Sequence, residues 1–169
     1  MEKNKMIEHQ EEEFNIYRKD MVHFVLAHSY LIFLFSVILG VLFDTLLNKK
    51  IFSHPAYSTI GLLLMMAGSF LIYWAQRTSS KYKRNVGKNG AKSHFESGPY
   101  KYSRSPTHLG LFFLTLGFSL IINSFFAASF TIIAHTLTKI VFLKREEKLL
   151  EKKYGQIYMD YKKKVRNWL

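Results

Sequence analysis

The residues best suited to chemistry lie in the stretch GPYKYSRSPTHLG, residues 98–110. Ser105 followed by Pro106 is typical of a helix start, with serine as the N-cap and proline in the first turn. The free backbone N–H groups and partial positive charge of a helix N-terminus favour an anion. Arg104 adds a fixed charge that can grip a carboxylate or phosphate through two hydrogen bonds. The pattern predicts an anion site beside His108; alternatively, Arg104 only reaches lipid phosphates and His108 caps the interface.

A polar stripe runs through a later apolar segment, where Thr131, His135 and Lys139 recur every four residues beside Thr138. Ionisable groups inside a membrane span usually face the bundle interior or a cavity. The stripe therefore marks a candidate site. The alternatives are that Lys139 extends to the interface and that His135 is a hydrogen-bonded core residue.

Two consecutive carboxylates, Glu146 and Glu147, follow that segment. In a helix, neighbouring side chains point about 100° apart, so the two glutamates are expected to serve different roles. One can face the polar stripe while the other pairs with Lys144 or Lys148. The alternative is an ordinary solvated, charged helix.

Four uncharged helical segments are predicted to position these side chains, which makes the fold an all-α membrane bundle. The third uncharged run, from residue 105 to 138, would span roughly 50 Å as one helix, which is too long for a single crossing. It is therefore divided at Asn123 and Ser124, which favour turns. The predicted spans are residues 21–47, 56–76, 106–122 and 125–143, preceded by a polar tail (1–20), interrupted by a basic loop (77–105) and followed by a C-terminal helix (144–169).

Glycines and the apolar periodicity of the tail indicate how these segments pack. Gly61 and Gly68 lie seven residues apart on the second span and permit close helix contact, within one chain or between two. Along the C-terminal helix the apolar positions step by three or four residues: Leu150, Tyr154, Tyr158, Tyr161, Val165 and Trp168. Gly155 can interrupt or bend that helix. It is expected to lie on the membrane surface or to fold onto the basic loop as a lid.

The charge distribution predicts the orientation of the chain in the membrane. The formal net charge is +12, and four spans would place 22 of the 24 Lys and Arg residues on one side, which the positive-inside rule identifies as the cytosol. Both termini are therefore expected to be cytosolic. Because this asymmetry explains the basic excess, no nucleic-acid partner is expected. The absence of cysteine excludes disulfides and thiolate metal sites, and no metal is predicted.

The order and spacing of two motifs resemble the isoprenylcysteine carboxyl methyltransferase and phospholipid methyltransferase family of integral membrane enzymes. The first family motif reads roughly G-P-Y, then R-H-P-x-Y-x-G, and the second E-E-x-x-L, then F-G-x-x-Y-x-x-Y. The matching residues of the first are Gly98, Pro99, Tyr100, Arg104, Pro106 and Gly110, and those of the second are Glu146, Glu147, Leu150, Gly155, Tyr158 and Tyr161. The resemblance covers about residues 57–169.

The resemblance implies methyl transfer from S-adenosylmethionine to a lipophilic acceptor, with membrane lipids as surroundings. The acceptor is either a prenylcysteine-like carboxylate or a lipid amine. Arg104 suits the carboxylate of the cofactor, and either glutamate suits its ammonium. The expected cofactor-binding residues are Tyr100, Arg104, Ser105, His108, Gly110, Glu146, Glu147, Leu150 and Tyr158. The expected catalytic residues are Arg104, Glu147 and His135.

The chain departs from the first motif at two positions, since Ser105 replaces its histidine and His108 its tyrosine. These departures leave two other functions to consider. One is a sterol-reductase-like enzyme that uses NADPH, because that group has a similar tail. The other is a non-catalytic membrane protein that binds lipids. The length of the chain and its first motif favour the methyltransferase.

Overall fold

The computed structural model describes residues 27–47, 56–83, 95 and 97–165, and within them the chain is helical without a β-strand. The helices are α1 (Ala27–Leu47), α2 (Ala56–Lys83), α3 (Pro106–Ile121), α4 (Phe125–Thr138), α5 (Lys144–Tyr154) and α6 (Gln156–Lys164). A 3₁₀ turn, Gly98–Lys101, precedes α3, and a π-helical segment, Lys139–Leu143, joins α4 to α5. The polar N-terminal tail and Trp168 lie outside the described residues.

Within the part of the chain that the structure describes, three helical stretches are long and apolar enough to cross a membrane, and α3 is a shorter apolar helix beside them. The three are Ala27–Leu47, Tyr57–Lys81 and Phe125–Lys152. Their outward faces carry large apolar side chains such as Leu63, Phe70 and Ile133, each more than half exposed. Such faces are stable in contact with lipid, because hydrocarbon, unlike water, does not favour the burial of apolar side chains inside the bundle. The prediction of an all-α membrane bundle is confirmed.

Paired glycines hold α2 against α3. A Cβ on Gly68 would lie 2.5 Å from the Gly110 carbonyl oxygen, and one on Gly61 would lie 2.7 Å from the Gly117 carbonyl oxygen. The helices run antiparallel, so two glycines seven residues apart on one helix meet two with the same separation on the other. The close packing suggested by Gly61 and Gly68 is therefore found within the chain.

The hairpin between α3 and α4 turns where the sequence predicts it. Asn123 has a φ of 54°, a left-handed conformation that asparagine tolerates better than most residues. Ser124 caps α4 by accepting a hydrogen bond from the Ala127 backbone N–H. The Ser124 hydroxyl also donates to the Asp44 carboxylate of α1, which fixes α1 to this end of the hairpin.

One helix boundary differs from the prediction, and a break that the sequence suggests at Gly155 is found. Helix α2 continues through Lys83 instead of ending at residue 76, because a charged residue ends an apolar span without ending a helix. The C-terminal helix is divided at Gly155, which has a φ of 52°. Its apolar stripe therefore does not continue as one straight face, and α6 turns back toward the start of α3.

Candidate functional site

The 3₁₀ turn places Arg104 at the start of α3. Gly98 has a φ of 57°, and a Cβ there would lie 2.4 Å from Thr78 Oγ1 on α2, so both the conformation and the space require glycine. Pro99 is buried, and its carbonyl accepts hydrogen bonds from the backbone N–H groups of Tyr102 and Ser103. The GPY element of the first motif is thus a rigid turn that fixes the backbone shortly before Arg104.

Tyr100 connects this turn to two other elements. Its hydroxyl lies 2.8 Å from the Ser79 hydroxyl on α2, and its backbone carbonyl accepts a 2.6 Å hydrogen bond from the Tyr161 hydroxyl on α6. Burial raises the pKa of the Tyr100 phenol, so the side chain stays neutral at physiological pH. Tyr100 therefore fixes the position of the turn between α2 and the C-terminal helix.

Arg104 and Glu147 form an ion pair between the start of α3 and the start of α5. Arg104 Nη1 lies 2.8 Å from Glu147 Oε1, and the two side chains are only 12% and 15% exposed. Lys162 of α6 approaches the other oxygen of Glu147 at 3.1 Å and Glu151 at 2.6 Å. The Arg104 Nε atom is buried and has no hydrogen-bond partner among the described residues.

His108 and Glu146 form a second pair one helical turn further along α3. The His108 side chain is 4% exposed, and its Nε2 lies 3.7 Å from Glu146 Oε2. Neither imidazole nitrogen makes a hydrogen bond within the described part of the chain. The two neighbouring glutamates thus face different basic residues, as their angular separation predicts, with Glu147 at Arg104 and Glu146 at His108.

An aromatic cluster covers the site from the C-terminal side. Phe95, Tyr158 and Tyr161 are buried together, and the Phe95 and Tyr161 rings stack with their centroids 4.8 Å apart. Leu150, Tyr154, Ile157 and Val165 pack around them. The predicted apolar stripe therefore folds onto the basic loop, as one of the two expected arrangements requires. Phe95 was missed because a single phenylalanine in a glycine-dotted, polar loop carries no periodic signal.

The environment of Tyr158 and Tyr161 favours their neutral forms. Burial raises the pKa of both phenols, and for Tyr158 the nearby Glu147 carboxylate raises it further while Arg104 lowers it. Tyr158 is 1% exposed, so an adenine could stack on its ring only if the aromatic cluster opened. Leu150 packs on the same cluster and supports it.

The polar stripe of α4 is divided between two environments. Thr131 and Thr138 are buried at 0% and 2% exposure, whereas Lys139 is exposed. The His135 ring packs on Phe112 of α3 with a centroid distance of 4.3 Å, and it lies close enough to His108 for an electrostatic interaction. His135 therefore borders the site from α4. The π-helical segment rotates the faces of α5 relative to those of α4. A regular helical period therefore cannot place Glu146 on the same face as the polar stripe.

Two other predicted residues have structural explanations. Ser105 occupies the N-cap position of α3, but its side chain makes no capping hydrogen bond, and its backbone N–H lies 3.3 Å from the Ser103 hydroxyl. Gly110 is required by the close approach of α2 at Gly68. Their roles in cofactor binding stay predictions.

Comparison with known proteins agrees with the motifs. The family model described as phospholipid methyltransferase matches residues 56–157, which is more than half of the chain. A search of curated proteins finds no match, and a search of solved structures finds none either. The matched range contains α2, the 3₁₀ turn, α3, α4, both glutamates and the start of α6.

Proposed function

Since this chain belongs to the phospholipid methyltransferase family, we propose that it transfers a methyl group from S-adenosylmethionine to a lipophilic acceptor in the membrane. The acceptor is a lipid amine or a prenylcysteine-like carboxylate, and the family's description favours a phospholipid. The observation that carries the proposal is the Arg104–Glu147 pair, because it offers opposite charges at one nearly buried place.

This pair fits the amino-acid end of the cofactor. That end carries a carboxylate and an ammonium, which are the counterparts of a guanidinium and a glutamate. The buried Arg104 Nε has no hydrogen-bond partner among the described residues, so one donor of the guanidinium fork is available to a ligand carboxylate. Lys162 can move from Glu147 to Glu151, which it already contacts, and thereby leave a Glu147 oxygen for the ligand ammonium.

The remaining residues of the site position and protect the reacting groups. S-adenosylmethionine, when bound, supplies an electrophilic methyl group on a sulfonium sulfur. The turn at Tyr100 and the aromatic cluster of Phe95, Tyr158 and Tyr161 keep water from the ion pair on the C-terminal side. Positioning and exclusion of water can provide most of the acceleration in such a displacement.

The membrane supplies the acceptor, and the basic loop faces the compartment of the cofactor. The positive-inside asymmetry supports an orientation with both termini in the cytosol. A lipid would then enter laterally between the spans, whereas the water-soluble cofactor would enter from the basic side. Positive charge on that side also attracts anionic headgroups.

Calorimetry on the detergent-purified full chain tests the proposal. We expect S-adenosylhomocysteine to bind with a micromolar dissociation constant, and Arg104→Ala and Glu147→Ala to weaken that binding at least tenfold. Lys163→Ala is the matched control, because Lys163 is exposed on α6 beside Lys162. Labelled methyl groups should then pass from the cofactor into a lipid extract. Binding of NADPH instead, or equal affinity in the Arg104 and Glu147 variants, would contradict the proposal.

A further inference from the structure

His108 is a buried ionisable side chain whose hydrogen-bonding capacity is unused. Its side chain is 4% exposed, and neither nitrogen has a hydrogen-bond partner among the described residues. A buried polar group without a partner is destabilising, so such groups in a folded protein usually meet a ligand or a water. The neighbouring Arg104–Glu147 pair already offers both charges that the amino-acid end of the cofactor requires. The imidazole is therefore left for the second substrate.

Resting on the proposed function, we propose that His108 is the base that accepts the proton of an amine-bearing lipid acceptor, and that Glu146 positions the imidazole and stabilises its protonated form. The distance of 3.7 Å from Nε2 to Glu146 Oε2 is that of an ion pair once the imidazole is charged. It is too long for a hydrogen bond, so the nitrogen is open to a ligand before protonation.

The proton balance of amine methylation requires a proton acceptor. An ammonium has no lone pair and cannot attack a methyl carbon. When His108 accepts a proton, the ammonium N–H bond breaks, a new imidazole N–H bond forms, and the electron pair stays on the amine nitrogen. Each methyl transferred from a sulfonium to an ammonium therefore releases one proton. Glu146 is 24% exposed, which connects the buried imidazole to solvent for the loss of that proton.

The charge that faces His108 from α5 favours an amine over a carboxylate acceptor. Glu146 on α5 faces the imidazole, and an approaching carboxylate would meet this negative charge, whereas an ammonium would be attracted to it. A carboxylate acceptor also has no proton to lose at neutral pH and would need no base. On the other side, His135 on α4 lies close enough to His108 to interact with it electrostatically.

The pH dependence of His108→Gln separates this role from packing or cofactor binding. Glutamine keeps hydrogen-bonding groups but cannot take up a proton. With vesicles of phosphatidylethanolamine, we expect the variant to lose about 10²-fold or more of its rate at pH 7. The loss should shrink as the pH rises and solvent deprotonates the amine. Glu146→Gln should show a smaller loss with the same trend, and it provides a second readout if His108→Gln folds poorly.

Two measurements decide whether the proposal holds. The variants should bind S-adenosylhomocysteine as tightly as the unmodified protein, because Arg104 and Glu147 are unchanged. The second measurement is the pH profile, in which the ratio of the rate of the unmodified protein to that of His108→Gln should fall as the pH rises. A loss of S-adenosylhomocysteine affinity in proportion to activity would place His108 in the cofactor site and overturn the inference. An unchanged rate in His108→Gln at every pH, with the original protein active, would overturn it too. Failure of the original protein to bind S-adenosylhomocysteine would instead overturn the proposed function.

Discussion

Arg104 Nη1 lies 2.8 Å from Glu147 Oε1, which joins the start of α3 to the start of α5 across the bundle. Because both side chains are nearly buried, neither charge is fully compensated by water when its partner is removed. The pair is therefore a structural link as well as the proposed anchor of the cofactor.

We predict that Arg104→Ala lowers the free energy of unfolding by about 3 kcal/mol, since it removes the guanidinium partner of a nearly buried carboxylate. The double variant Arg104→Ala with Glu147→Ala should lose less than the sum of the single losses, with a coupling of about 1–3 kcal/mol. Thermal denaturation in detergent measures both effects. Additive losses would show that the two side chains do not interact in the folded protein.

The glycine contacts predict that α2 and α3 tolerate no larger residue at their crossing points. Gly68→Ala should destabilise the protein by about 1–3 kcal/mol, because the added methyl group meets the Gly110 carbonyl and the Leu114 backbone rather than a movable side chain. Ser69→Ala, at an exposed position on the same helix, is the matched control and should change the thermal midpoint little. Equal midpoints for the two variants would argue against the close approach.

The turn between α3 and α4 predicts that substitutions at two neighbouring residues affect stability differently. Ser124→Ala removes the helix cap and the contact with Asp44, and it should cost about 1 kcal/mol or more. Asn123→Gly should be neutral or stabilising, because glycine adopts the observed left-handed conformation more readily. Ser129→Ala is the control for Ser124, since Ser129 only donates to a carbonyl of its own helix. The comparison is again made by thermal denaturation.

The buried tyrosines predict loss of stability at alkaline pH. Burial raises the pKa of Tyr158 and Tyr161, so the unfolded phenols ionise first as the pH passes about 10. The stabilisation that comes from burying the two neutral phenols is therefore complete below that pH. It is lost as the pH rises toward the pKa values of the phenols in the folded protein. A tyrosinate absorbance titration should show a late step that shrinks in Tyr158→Phe and in Tyr161→Phe. If neither variant changes that step, the two rings are not buried in solution.

Lys162 is predicted to hold α6 against α5. Hydrogen bonds with Glu151 and then Glu147 raise the pKa of its ammonium, which therefore stays charged at physiological pH. Lys162→Gln should speed amide hydrogen exchange in α6 up to about fivefold, the effect of a loss of up to 1 kcal/mol at a partly exposed pair. Lys163→Gln, at the exposed neighbouring position, should leave exchange unchanged. Similar acceleration in both variants would show only a general effect of charge.

Sequence alone determined the helical elements of this protein and indicated the two ends of the candidate site. Hydropathy and length defined the membrane helices, Asn123 and Ser124 marked the hairpin, and the motifs around Arg104 and Glu147 indicated the residues that meet. These features are local or follow from a single helical period, so they can be recognised without knowledge of contacts between distant residues.

Only the tertiary structure decided which partners those residues have. The π-helical segment changes the helix phase before the glutamates, so periodicity could not assign Glu146 to His108 and Glu147 to Arg104. The break at Gly155 likewise brings the tail onto Phe95. In each case the deciding contact joins residues distant in sequence, and it depends on a change in backbone direction that no local apolar pattern encodes.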